Sequence, residues 1–168
     1  MSKTSLFGRL LGLYSTACAM LAHLNFLAPL LGRIVIAAVF IPSGWGKLHS
    51  LAKVIDFFTS LGIPFPEYQA PFVACVELIG GIFVLLGLGT RLASFLLINT
   101  MVVAIVTAIW PDVSGVADFF SKDEVLYSAI LAHLIIAGGG AVSLDALIGR
   151  VTAGAPARVA GVPRSVHA

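Results

Sequence analysis

Glu77 lies inside the apolar run Ala70–Arg91, APFVACVELIGGIFVLLGLGTR. An ionisable side chain at membrane depth is costly and normally turns toward protein or water, where it serves a proton relay, a ligand site or an ion pair. Two more titratable groups occupy comparable places. Lys47 closes the apolar stretch 30–48, and His133 lies within the stretch 125–142. If these stretches cross a bilayer in alternating directions, Glu77 lies about 9 Å and His133 about 12 Å below the same surface, at 1.5 Å per residue. Lys47 then stands at that surface, and the three are expected to converge in one pocket. Together they could pass protons, and they could hold a quinone head group, whose carbonyl oxygens need donors as the ring is reduced. The plainer alternative is a structural Lys47–Glu77 ion pair with His133 hydrogen-bonded inside a bundle, or a Lys47 that snorkels to the interface.

A second polar group gathers at the other surface: Arg33, Arg91 and Asp145. One acid facing two arginines reads first as a structural clasp, and second as an anion or lipid-headgroup site. No metal site is expected, since no H-x-x-H or H-E-x-x-H pattern occurs and His133 alone would suit a haem. Cys18 and Cys75 form no C-x-x-C pair and read as small buried hydrophobes. Gly80-Gly81 and Gly138–Gly140 match no phosphate loop.

The elements that must position these residues are helices in lipid. Of 168 residues, 59% are hydrophobic and 11% charged, against about 45–50% and about 25% in a soluble domain. No basic run interleaved with aromatics suggests nucleic acid. The chain is expected to be an all-α membrane protein: a four-helix transmembrane bundle over residues 29–148, spans at 30–48, 70–91, 92–110 and 125–142. Residues 1–28 form an N-terminal segment whose helix, 5–23, is read as amphipathic and interfacial, with a fifth span or a cleaved signal as alternatives. Between the first two spans, Val54, Phe57, Phe58 and Leu61 share one face of a short helix opposite Lys53, Asp56 and Ser60, so this helix also lies in the interface. Residues 149–168 lack periodicity and read as a disordered cytoplasmic tail.

Helical spacing assigns inward faces. In the first span these are Arg33, Ala37, Phe40, Gly44 and Lys47, with Pro42 set to kink the helix; in the second, Ala70, Ala74, Glu77 and Gly81. The third offers Thr100, Ala104 and Thr107 with Asn99 one residue off, and the fourth Ala129, His133, Ala137 and Gly140. Charge then orients the chain. Lys3, Arg9, Arg33, Arg91, Arg150, Arg158 and Arg164 share one side with Asp145 alone, while the other side holds Lys47, Lys53 and Lys122 with the remaining acids. The positive-inside rule places both termini in the cytoplasm of an inner-membrane, multi-pass protein. Trp45, Tyr68, Trp110 and Tyr127 form an aromatic belt at the outer surface.

Several motifs in order resemble the DoxX family of small four-helix membrane proteins: Leu31-Gly32-Arg33, Ser43-Gly44-Trp45-Gly46-Lys47-Leu48, Leu61-Gly62-Ile63-Pro64, Glu77-Leu78-Ile79-Gly80-Gly81, Gly87-Leu88-Gly89-Thr90-Arg91, and Gly138-Gly139-Gly140 before Ser143-Leu144-Asp145. The resemblance implies membrane-associated redox or detoxification work, as an anchor or quinone-interacting subunit beside a protein partner or further copies of the chain. Matching by motif carries over Arg33, Lys47, Glu77, Arg91 and Asp145.

Overall fold

The computed structural model describes residues 3–22 and 24–153. Among them there is no strand. The helices are α1 (Lys3–Ala22), α2 (Leu27–His49), α3 (Leu51–Ser60), α4 (Pro66–Leu86), α5 (Thr90–Ala104), α6 (Val116–Phe120), α7 (Asp123–Ala137) and α8 (Leu144–Ala153). α5 continues through a π-helical turn, Ile105–Ile109, into a 3₁₀ turn, Trp110–Asp112.

Three of these are long and apolar enough to cross a membrane: Leu27–His49, Pro66–Leu86 and Thr90–Asp112. α7, at 15 residues, spans about 22 Å, short of a hydrocarbon core of about 30 Å. It nonetheless completes a ring of packed helices, α2 on α4, α4 on α5, α5 on α7 and α7 on α2. The outside of the ring is greasy. Leu31, Ile34, Ile79, Phe83, Leu92 and Phe95 are all exposed, as lipid-facing positions must be.

Close approach of small residues sets the tightest contact. A Cβ on Gly44 would collide with the backbone of Leu78 and lie 2.7 Å from the Ala74 carbonyl oxygen, and one on Gly81 would strike Ile41 and Phe40. α2 and α4 therefore touch backbone to backbone, the usual way membrane helices gain packing without a hydrophobic drive. Arg33, Ala37, Phe40 and Gly44 on α2, and Ala70, Ala74, Glu77 and Gly81 on α4, are buried as their spacing implies. α2 runs on through Pro42 to His49.

α7 presents the other face from the one its small residues indicate. Leu131 and Leu134 are fully buried, while Ala129, His133 and Ala137 are exposed. The reason lies on α2, where a Cβ on Gly32 would lie 3.3 Å from Ile130 and 3.6 Å from Leu134. The small residue of this contact belongs to α2, so α7 fills the gap with large ones. α7 also stops at Gly138, which has φ 75°, rather than continuing to 142.

The flanks differ too. The described side chains of α1, including the whole run Leu10–Thr16, are exposed, so none of these rests on the bundle. α8 carries regular structure to Ala153, past residue 149; residues 154–168, the rest of the expected tail, lie outside the described residues. Cys18 and Cys75 are both exposed, not buried. Cys75 sits one position off the Ala70–Ala74–Glu77 face, which turns it outward.

Candidate functional site

Lys47 and Glu77 meet. Lys47 Nζ donates to Glu77 Oε1 at 2.5 Å, and Ser43 Oγ donates to Oε2 at 2.8 Å. The positions follow from the helix contact. Ser43 and Lys47 are four apart and flank Gly44, so one face of α2 delivers both donors where α4 comes closest. Glu77 is 1% exposed, while the Lys47 side chain keeps 29% of its surface. The carboxylate is thus held at both oxygens, whereas the ammonium, with three N–H bonds, spends one on Glu77. Ser43 escaped the sequence reading, although its i, i+4 relation to Lys47 was a sufficient signal.

His133 does not join them. It is exposed on the outer face of α7 and does not line the cavity that Glu77 and Lys47 enter. Tyr127 takes that place from the same helix. Instead of joining an outer aromatic belt, it turns inward and packs edge-on against Phe40, ring centroids 6.4 Å apart. Trp45, Tyr68 and Trp110 remain exposed.

The cavity itself has a volume of about 640 Å³, within the range of small-molecule sites, about 300–1,000 Å³. Val39, Phe40, Val73, Val76 and Met101 give it apolar walls, α3 covers one side with Val54, Phe57 and Phe58, followed by Leu61, and α5 with its π-helical continuation adds Asn99, Thr100 and Thr107. The π turn includes Thr107. Such one-residue excesses in a helix recur at functional sites. Glu124, Lys53 and Gln69 complete the polar lining. No group of three or more His, Cys, Asp or Glu side chains is gathered for a metal among the described residues.

The second group stands at the opposite end of the bundle and is not an ion-pair clasp. Arg33 is 4% exposed, and its guanidinium donates only to backbone carbonyls. Nε reaches Val84 O at 2.9 Å, Nη2 reaches Leu85 O at 2.6 Å, and Nη1 reaches Gly139 O at 2.9 Å and Val142 O at 2.5 Å. It thereby gives Leu85 O a donor and adds a second to Val84 O, which also accepts the Gly87 N–H, so the end of α4, where carbonyls lack helical partners, is tied to the segment joining α7 to α8. Gly87 (φ 69°) makes room, since a Cβ there would lie 2.8 Å from the guanidinium carbon. Asp145 does the converse. Oδ1 accepts from Gly89 N at 2.7 Å, and Oδ2 from Thr90 N at 3.0 Å and Thr90 Oγ1 at 3.1 Å, capping the start of α5. Arg91 is exposed and donates to Ile136 O at 3.3 Å, near the end of α7.

Burial pushes the Asp145 carboxyl upward. The N–H groups of Thr90 and Gly89, the Thr90 hydroxyl and the Arg33 charge outweigh it and hold the group below its ordinary value. A depressed carboxyl stabilises the fold above its unfolded pKa, about 3.9, and loses that contribution as pH falls through the lower folded value. The thermal midpoints of the unaltered chain and Asp145→Asn should therefore differ at pH 7 and draw together as the pH falls below the unfolded value and through the lower folded one. A constant difference across that range would show that the charge plays no part. Asp118, which is lowered by the Ser114 N–H and by Lys122, is common to both proteins and cancels.

The fold is that of a helical membrane protein with a polar group at each end of its bundle, and comparison with known proteins supplies the family. The DoxX family model matches residues 28–110, which include Arg33, Lys47, Glu77 and Arg91. The chain is 33% identical over 121 residues to the Bacillus subtilis (strain 168) protein named "Putative oxidoreductase CatD", covering 71% of this chain and 85% of that one. It is 26% identical to the "Inner membrane protein YqjF" of Escherichia coli (strain K12), covering 72% and 92%, and 29% identical to "Inner membrane protein YphA" of the same organism, covering 69% and 86%. No solved structure matches. The chain belongs to the DoxX family.

Proposed function

We propose that this chain is the quinone-interacting membrane subunit of a redox or detoxification system. It crosses the inner membrane four times with both termini cytoplasmic and works beside a protein partner or further copies of itself. The observation that carries the reading is the cavity: apolar walls around a single buried charge pair whose ammonium has N–H bonds to spare. A flat ring with carbonyl oxygens satisfies both features, since the walls take the ring and Lys47 donates to an oxygen. Glu77 keeps Lys47 charged, and Ser43 keeps Glu77 in place. The name of the B. subtilis relative points to redox work. α7 serves as the fourth pass, its short length met by local thinning of the bilayer.

Titration of a tail-bearing benzoquinone into the protein in lipid nanodiscs tests this. Binding should saturate at one site per chain, and Lys47→Met should weaken it about tenfold to a hundredfold, the worth of one hydrogen bond from a charged donor. Absence of saturable binding, or equal affinity in Lys47→Met, would sink the reading.

A second reading has its own support. Both Glu77 oxygens are bonded across the α2–α4 contact, as in a pair that only holds two helices together. The chain would then be a non-enzymatic scaffold or small-solute carrier. Under that reading a chain lacking both Lys47 and Glu77 functions as well as the original.

A further inference from the structure

The cavity wall is uneven. Where α2 and α7 form it, the lining is buried or half-buried, as at Val39, Phe40, Ser43 and Tyr127. Along the seam between α4 and α5, the lining is also the outer surface. Phe72 is 63% exposed, Phe95 55%, Leu96 40% and Val103 45%. A residue that lines a cavity and is exposed as well stands in its mouth. All four are apolar, and both helices belong to segments long enough to cross a bilayer, so this mouth faces hydrocarbon rather than water. Asn99 stands in it too. It is exposed, one of its two amide N–H bonds goes to its own helix at Phe95 O (2.6 Å), and neither the other N–H nor the amide oxygen makes a hydrogen bond among the described residues. A bare amide oxygen facing lipid is costly unless something polar passes or rests there.

We propose that the ligand arrives sideways from the bilayer, head first between α4 and α5 past Asn99, and leaves its hydrocarbon tail in the seam. The proposal rests on the quinone reading and narrows it to membrane-dissolved molecules with an acceptor-bearing head and an apolar tail. The chemistry of the mouth selects that class: apolar walls admit a tail, and one amide gives the head a polar contact on the way to Lys47. A competing path runs beneath α3, where Lys53 and Phe57 are exposed and line the cavity.

Binding kinetics separate the two. Stopped-flow quenching of the native tryptophans by a tail-bearing benzoquinone is followed in nanodiscs for the unaltered chain, Leu96→Phe, Val103→Phe and Asn99→Leu. Leu96 and Val103 face lipid, so the first two bulk changes narrow the mouth without entering the core, and either suffices if the other folds poorly. Both association and dissociation should slow at least ~5-fold while Kd moves less than ~2-fold, the pattern of an obstructed route rather than a damaged site. Unchanged rates with intact binding would overturn the lateral route alone. So would unchanged seam variants beside a Phe57→Ala chain that binds faster, which would place access beneath α3. No binding in the unaltered chain would overturn the quinone reading and this one together.

Discussion

Glu77→Leu with Lys47 left in place is expected to lower the stability of the protein in detergent micelles by about 3–5 kcal/mol, the usual cost of orphaning one member of a buried ion pair. Glu77 is 1% exposed and sits where α2 and α4 touch through their backbones. Its removal strands an ammonium and the Ser43 hydroxyl in that contact at once. Lys47 retains 29% of its side-chain surface and recovers part of the loss by turning outward, which puts the effect toward the lower end. Lys47→Met in the same chain should restore most of the stability, because an apolar pair avoids the desolvation of two ions. Glu77→Gln should fall between, since a neutral amide oxygen still accepts one of the two bonds. Unfolding measured on the two single variants and the double variant gives the coupling directly. Additive losses would show that the two side chains do not act as a pair.

Arg33→Met is expected to cost about as much, on the order of 3–4 kcal/mol, because it breaks a buried hydrogen-bond network instead of one contact. Four carbonyls lose the bond from Arg33, two on the last turn of α4 and two in the segment after α7; Val84 O keeps the Gly87 N–H. Arg33→Lys should rescue little, since an ammonium is a point donor and cannot reproduce the planar fork that reaches all four. Hydrogen exchange offers a sharper readout than global unfolding. The amides at the end of α4 and around Gly138–Val142 should lose protection together in Arg33→Met, while the Lys47–Glu77 contact at the far end of α2 holds. Loss of protection confined to α4 would show that Arg33 does not join the two segments.

The inward faces of α2 and α4 were legible because small residues recur there at helical spacing around charges that cannot face lipid. The same logic misled on α7. Its small residues face outward, and a helix read alone cannot reveal that Gly32 on α2 has already supplied the small side of the contact. His133 went with that face, and the site lost the imidazole expected of it. Arg33, Arg91 and Asp145 do gather at one end, yet spacing cannot distinguish a charge that pairs with a charge from one that caps a helix. Arg33 binds carbonyls and Asp145 binds amides. Those partners are backbone groups exposed by helix ends, and their places depend on where α4 stops and α5 starts. Tyr127 read as an interfacial aromatic until Phe40 of α2 was in place beside it, whereas Ser43 carried its signal in the one-turn spacing to Lys47.

The Arg33 network has a mechanical consequence. It binds α2, α4 and the end of α7 at one end of the bundle, and Asp145 fastens α5 there as well. At the other end Lys47 and Ser43 bond α2 to Glu77 of α4 beside the close contact at Gly44, and the cavity opens among α2, α3, α4, α5 and α7. The two ends would therefore yield differently: parting the helices at the Arg33 end breaks several bonds to backbone at once, whereas parting α2 from α4 beside the cavity means lifting Gly44 off the Leu78 backbone and pulling two donors from one carboxylate.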